Sequence, residues 1–151
     1  MREIATLAQL KELVGQEVGV SEWLTVSQER VNTFADATED HQWIHLDVER
    51  AKRESPYGGT IAHGYLTLSL LPMLMSSSLK IANVKMGLNY GLNKVRFPAP
   101  VPVGSALRAR FTLLKDEDIE GGAQMVWQIT IERQGSEKPV CIAEVVFRYY
   151  V

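Results

Sequence analysis

The sequence has little with which to build a scaffold held by covalent or metal cross-links. A single cysteine, Cys141, excludes an internal disulfide and leaves no cysteine pair for a structural zinc site. Long apolar runs are missing too: no window approaches the ~20 residues that a membrane-spanning helix requires. The opening stretch MREIATLAQLKELVGQ carries a charge every few positions and lacks the apolar centre of a secretion signal. Neither sign of charge is in excess, since 16 Lys and Arg stand against 18 Asp and Glu for a formal net charge of −2. No basic stripe or like-charged tail interrupts that mixture. Nucleic acid and membrane are therefore not expected as partners, and a soluble cytoplasmic protein is expected. Internal repeats, low-complexity segments and linkers are also lacking.

What is present is an ordinary globular composition of 151 residues, 46% hydrophobic and 23% charged. That length fits one domain over residues 1–151, large enough to bury a core unaided. Apolar residues fall at helical spacing in ATLAQLKELV (5–14), with Gly15 as a stop. Val18, Val20, Leu24 and Val26 alternate, which predicts a strand over 17–26. Helical spacing returns in SQERVNTFADAT, capped by either Thr25 or Ser27, and a short helix is expected from Asp47. After the turn-forming SPYGGT, YLTLSLLPMLMSSSL is apolar on nearly every side, as a central helix is. Pro72 should bend it. Beyond residue 85 the period becomes two. GLNYGLNKVRFPAPV, SALRARFTLLK, AQMVWQITIERQ and PVCIAEVVFRYYV read as strands, the middle two joined at Gly121-Gly122. Trp127 fits an inward position, and Met73, Met75 and Met86 read as core fillers. One central helix against antiparallel strands is an α+β architecture.

The polar residues concentrate in FADATEDHQWIHLD, residues 34–47. Helical period ends at Thr38, so Asp40 is expected just past a helix end, with His45 on a loop or turn. A carboxylate and an imidazole aimed at one point suit proton transfer to and from a shared water. The same residues, taken alone, are also ordinary turn formers, and His41 and Asp36 read that way. Metal ligation by Asp40, His41 and His45 finds no supporting ligand-pair spacing. A second element, GGTIAHGY (58–65), opens the central helix. An N–H at Gly64 could stabilise developing negative charge on a carbonyl oxygen. The alternative reading makes Gly58, Gly59 and Gly64 turn residues and His63 a capping or packed histidine. Asn89, Tyr90, Asn93, Lys94 and Arg96 share a strand. Lys94 and Arg96 could meet phosphates or form a solvated outer face. Trp43 and Tyr57 could line an acyl tunnel or pack.

These two segments together, and GLNYGLNKVRFPAPVPVGS after them, resemble the MaoC-like dehydratases, the (R)-specific enoyl-CoA hydratase group, and its NodN-like branch in particular. The likeness runs from about residue 17 to the end. It implies a hot-dog fold, a curved antiparallel sheet wrapped around a long central helix. It further implies Asp40 and His45 as the catalytic pair and the Gly64 N–H as holder of the thioester oxygen. The implied reaction is reversible hydration of trans-2-enoyl-CoA to (R)-3-hydroxyacyl-CoA, with no metal or other cofactor. Homodimers joined sheet edge to sheet edge, or higher homo-oligomers built from them, are implied as well. On this reading Gln42, Trp43, Tyr57, His63, Asn89, Lys94 and Arg96 are the candidates for contact with an acyl-CoA substrate. Two departures stand out. Gln42-Trp43 replaces the Asn-Pro that many members carry between the Asp and the His, and Pro72 falls where some carry a serine that orients the pair. A hot-dog thioesterase and a non-catalytic acyl-thioester binding module are the rival readings. The first lacks a reason for His at Asp plus five, and the second a reason to keep both groups.

Overall fold

The computed structural model describes residues 1–151. In chain order it forms β1 (Arg2–Ile4), α1 (Leu7–Lys11), β2 (Glu17–Val20), β3 (Leu24–Thr25), α2 (Gln28–Thr38), α3 (Trp43–Leu46), α4 (Val48–Glu54), α5 (Gly64–Ser69) and α6 (Leu71–Ser78). The rest is strand: β4 (Leu79–Ile81), β5 (Met86–Arg96), β6 (Ala106–Ile119), β7 (Gly122–Arg133) and β8 (Cys141–Tyr150). The main sheet is antiparallel in the order β2-β6-β7-β8-β5, with β3 pairing further along β6. This is the α+β arrangement that the sequence predicts. No helix is long and apolar enough to cross a membrane.

Period-two patterning decides which face of the sheet is inside, because successive side chains point to opposite faces. Leu107, Ala109, Phe111 and Leu113 of β6 are fully buried, as are Met125, Trp127, Ile129 and Ile131 of β7. They join Leu66, Leu70, Leu71 and Leu74 of the helices in one core cluster. Burying each large apolar side chain stabilises the fold by about 1.5–3 kcal/mol. The β6–β7 hairpin turns at Gly121, whose φ of 77° is left-handed. A Cβ on Gly122 would run into the Tyr149 carbonyl oxygen, so that position has room only for hydrogen. Cys141 is buried, and burial pushes its thiol up to about 11, which leaves no reactive thiolate near neutrality.

Several local expectations change. The central helix is two segments, α5 and α6, meeting at Leu70, with Pro72 in the first turn of the second. Proline fits there because the first-turn N–H groups lack helical acceptors anyway. The strand expected over 17–26 breaks at Ser21. Its Oγ accepts from the Ala109 N–H, which turns the chain from β2 into β3. The first helix is limited to residues 7–11. A parallel pair, β1 with β4, was not foreseen. Ser27, not Thr25, caps α2, accepting from the Arg30 N–H at 3.1 Å. Met75 is buried, but Met73 and Met86 are about half exposed and fill no core space.

Candidate active site

Helix α2 ends in a left-handed residue, Glu39 (φ 62°), which swings the chain sideways and delivers Asp40 beyond the helix end. Its carboxylate Oδ1 accepts a long 3.4 Å contact from the Gln42 N–H, an Asx-type turn that starts the next element. The loop or turn expected at His45 is a single helical turn, α3. Four residues are too few to show a helical period, and α3 has no side-chain cap. Asp47 then caps α4, accepting from the Arg50 N–H at 3.0 Å.

Tertiary bonds aim His45. The His45 backbone carbonyl accepts from Gln28 Nε2 at 2.7 Å, while Gln28 Oε1 accepts from the Thr60 hydroxyl at 2.7 Å. The Ile61 N–H donates to the Ile44 carbonyl, and His45 Nδ1 donates to the Ile61 carbonyl at 2.7 Å. A carbonyl can only accept, so Nδ1 carries a proton, and Nε2 of the neutral ring is left with a lone pair. The ring is 8% exposed. Burial lowers its proton affinity below the usual histidine value, opposed by the Ile61 bond and the Asp40 charge.

Segment 60–64 brings in the third part. Its His63 ring is 3% exposed and stacks on His45 at 3.9 Å between centroids. His63 Nε2 donates to the Asp40 backbone carbonyl at 3.0 Å. The side-chain donor atoms of Asp40, His45 and His63 all fall within 4.8 Å of one another. His45 Nδ1 and His63 Nε2 are occupied by carbonyls, which leaves the Asp40 carboxylate, His45 Nε2 and the buried His63 Nδ1 without a hydrogen-bond partner among the side chains of the cluster. The exposed carboxylate and the imidazole lone pair of His45 suit a shared water.

Gly64 follows His63 as the first residue of α5. The first helical bond runs from the Thr67 N–H to the His63 carbonyl, so the N–H groups of Gly64, Tyr65 and Leu66 lack helical acceptors. A Cβ on Gly64 would press the Phe97 ring at 3.2 Å. Gly64 lines a cavity of about 370 Å³ with Tyr57, Ile61, Thr67 and Phe97.

The remaining candidates scatter. Tyr57 shares the Gly64 cavity and is half exposed. Gln42 is exposed at the head of α3. Trp43 packs beneath the Arg50 guanidinium, 4.2 Å from its ring centroid. His63 is enclosed between Phe34 and His45 instead of facing open space. Asn89, Lys94 and Arg96 lie on the exposed edge strand β5, where Asn89 lines a separate apolar cavity with Pro72 and Phe147. His41 and Asp36 pair on the surface at 3.0 Å. Sequence reasoning missed Gln28, since a glutamine in a first helical turn carries no signal of a partner 17 residues away.

Comparison with known proteins adds a family. Residues 9–133 match the model described as the MaoC like domain. A Mycobacterium tuberculosis protein named 3-hydroxyacyl-thioester dehydratase Z is 53% identical over 150 residues, covering 99% of both chains. Nodulation protein N of Rhizobium leguminosarum bv. viciae is 48% identical over 146 residues, 95% of this chain and 89% of that one. Among solved structures, a MaoC-like dehydratase from Rhodospirillum rubrum superposes with a TM-score of 0.73 at 24% identity, covering 91% of this chain and 93% of that one. The α+β hot-dog fold expected from the sequence is the fold shared with that structure.

Proposed function

This chain belongs to the MaoC-like domain family, and we propose that it is a hydro-lyase that reversibly hydrates trans-2-enoyl thioesters of coenzyme A to the (R)-3-hydroxyacyl form. The clustering of Asp40 and His45 with His63, whose next residue is Gly64 at the start of α5, carries this reading. Relatives matching nearly the whole chain, one of them named a 3-hydroxyacyl-thioester dehydratase, support the reaction class.

The pair holds one water. In hydration an O–H bond of that water breaks, its oxygen bonds to C3, and the pair takes the proton. Electrons of the C2–C3 double bond move toward the thioester oxygen, where the Gly64 N–H stabilises the growing charge. The proton then passes from the pair to C2 on the same face, which restores the thioester and leaves both side chains as they began. A neutral His45 at neutral pH suits the proton-accepting part of this cycle. Lys94 and Arg96 are the proposed contacts for CoA phosphates, with Tyr57, Gln42 and Trp43 around the acyl end.

The assembly is proposed as a dimer through β5. That strand ends the sheet and exposes Met86, Leu88, Tyr90 and Leu92, each at 42–56%. An open edge with apolar side chains is a template for pairing with another strand. Sedimentation at micromolar concentration tests this, and a monomer under all conditions overturns it.

The function is tested with crotonyl-CoA and a medium-chain 2-enoyl-CoA. Loss of enoyl absorbance without thiol release, and an (R) product on chiral analysis, is the expected result. Thiol release would favour a thioesterase, and no turnover of either substrate a binding module.

A further inference from the structure

The His63 side chain contacts both members of the proposed pair, and its backbone leads directly into Gly64. Its Nε2 donates to the Asp40 carbonyl at 3.0 Å and lies 3.9 Å from Asp40 Oδ2. Its ring stacks on His45 with an interplanar angle of 25°, and Phe34 closes the opposite side at 5.0 Å. Its peptide carbonyl accepts the first bond of α5, directly before Gly64. The Asp40 loop has few other anchors: it leaves α2 through the left-handed Glu39, and beyond His63 it is held by the exposed His41–Asp36 pair and the long contact from Gln42.

A packing role alone does not account for the choice of histidine. Phenylalanine or leucine would fill the slot between Phe34 and His45 without burying polar atoms. Histidine places Nδ1 in the interior with no protein partner, which costs free energy that a purely structural residue has no reason to incur. Its return is one rigid ring that fixes a backbone carbonyl at one edge and an imidazole plane at its face.

Resting on the hydro-lyase reading above, we propose that His63 is the positioning residue of the pair, registering the Asp40 loop and the His45 ring against each other without touching substrate. Misplacement of a reacting group by about 1 Å can cost roughly 10²-fold in rate, which sets the scale of its effect.

Three variants separate its two contacts. His63→Ala removes both and should lower kcat by about 10²-fold while KM moves less than threefold. His63→Phe keeps the ring and loses the donor. His63→Gln keeps a donor near the Nε2 position and loses the ring. Each should recover part of the alanine loss. A kcat within threefold of wild type in His63→Ala, or a loss carried mainly by KM, overturns the proposal. So does a His63→Phe or His63→Gln variant no better than a folded His63→Ala. Should the alanine variant fail to fold, a wild-type kcat in either of the other two overturns it instead. A readout without substrate keeps this independent of the reaction assigned. The His45 Nδ1–H resonance, protected by Ile61 in the free protein, should persist in His63→Phe and be lost to exchange in His63→Ala. Its persistence in both overturns the proposal even where wild-type turnover is found, and its expected pattern stands even where turnover of enoyl thioesters is absent.

Discussion

The β6–β7 hairpin and the segment from Thr38 to Gly64 are specified in opposite ways. In the hairpin, partner residues run from Leu107 opposite Arg133 to Ile119 opposite Gly122, and every second side chain of β6 up to Leu113, and of β7 from Ala123 to Ile131, faces the core. Loss of any one contact leaves many others to hold the register. In the 38–64 segment each function hangs on a single bond. Gln28 holds the His45 carbonyl, Ile61 holds the His45 ring, and His63 holds the Asp40 carbonyl. The hairpin therefore carries stability redundantly, while the segment carries geometry without a spare. Variants in one should move the thermal midpoint, and variants in the other should move kcat.

The largest effect is expected at the pair itself. Asp40→Asn and His45→Gln should each reduce hydratase turnover by about 10²–10⁴-fold, with folding retained by circular dichroism. Near-normal turnover in either would remove the mechanism. Opposite in kind is Phe111→Ala, at a fully buried site of β6. It should cost about 3–5 kcal/mol in urea unfolding, and the molecules still folded should keep wild-type kcat. A kcat loss per folded molecule as large as that of the pair would erase the contrast between the two regions.

That contrast also explains what could be read from the sequence. The hairpin was legible because in β7 a two-residue period survives over a dozen positions and by itself places Trp127 inward. Asp40, His45 and Gly64 were legible from residue types and their order along the chain. The supports between them were not. The Gln28 to His45 bond and the His63 to Asp40 bond join residues 17 and 23 apart through irregular backbone, and no local pattern encodes such a distance. The pairing of β1 with β4 escaped for a related reason, since a three-residue strand with one buried side chain, Ile4, shows no period. The break at Ser21 was hidden because Val18 and Val26 are both buried and the alternation reads straight through it.

Gln28 is where the two kinds of specification meet, so its substitution should produce a mixed and smaller effect. Gln28→Leu leaves the Thr60 hydroxyl and the His45 carbonyl without their partner. It should cost about 1–3 kcal/mol of stability and lower kcat together. Gln28→Glu keeps the acceptor for Thr60 but offers no donor to His45. It should recover stability more than kcat. Equal recovery of both would mean that Gln28 acts only as a brace.

The smallest expected change is in pH dependence, and its sign follows from burial. Desolvation lowers the affinity of His45 for a proton in the folded chain below the 6.5 of the free side chain. The unfolded chain then binds more protons than the folded one as the pH drops toward and below 6.5. Its contribution to stability is thus present above that pH and lost as pH falls through the lowered folded value. Urea unfolding of wild type at pH 7.5 and pH 5.5 should show an acid loss that is smaller in His45→Gln. The same neutral ring accepts the proton in hydration, so the acid limb of kcat/KM should fall below 6.5. Equal acid losses in the two proteins would show that His45 titrates alike folded and unfolded. In that case the bond to Ile61 and the Asp40 charge offset the burial of the 8% exposed His45 in full.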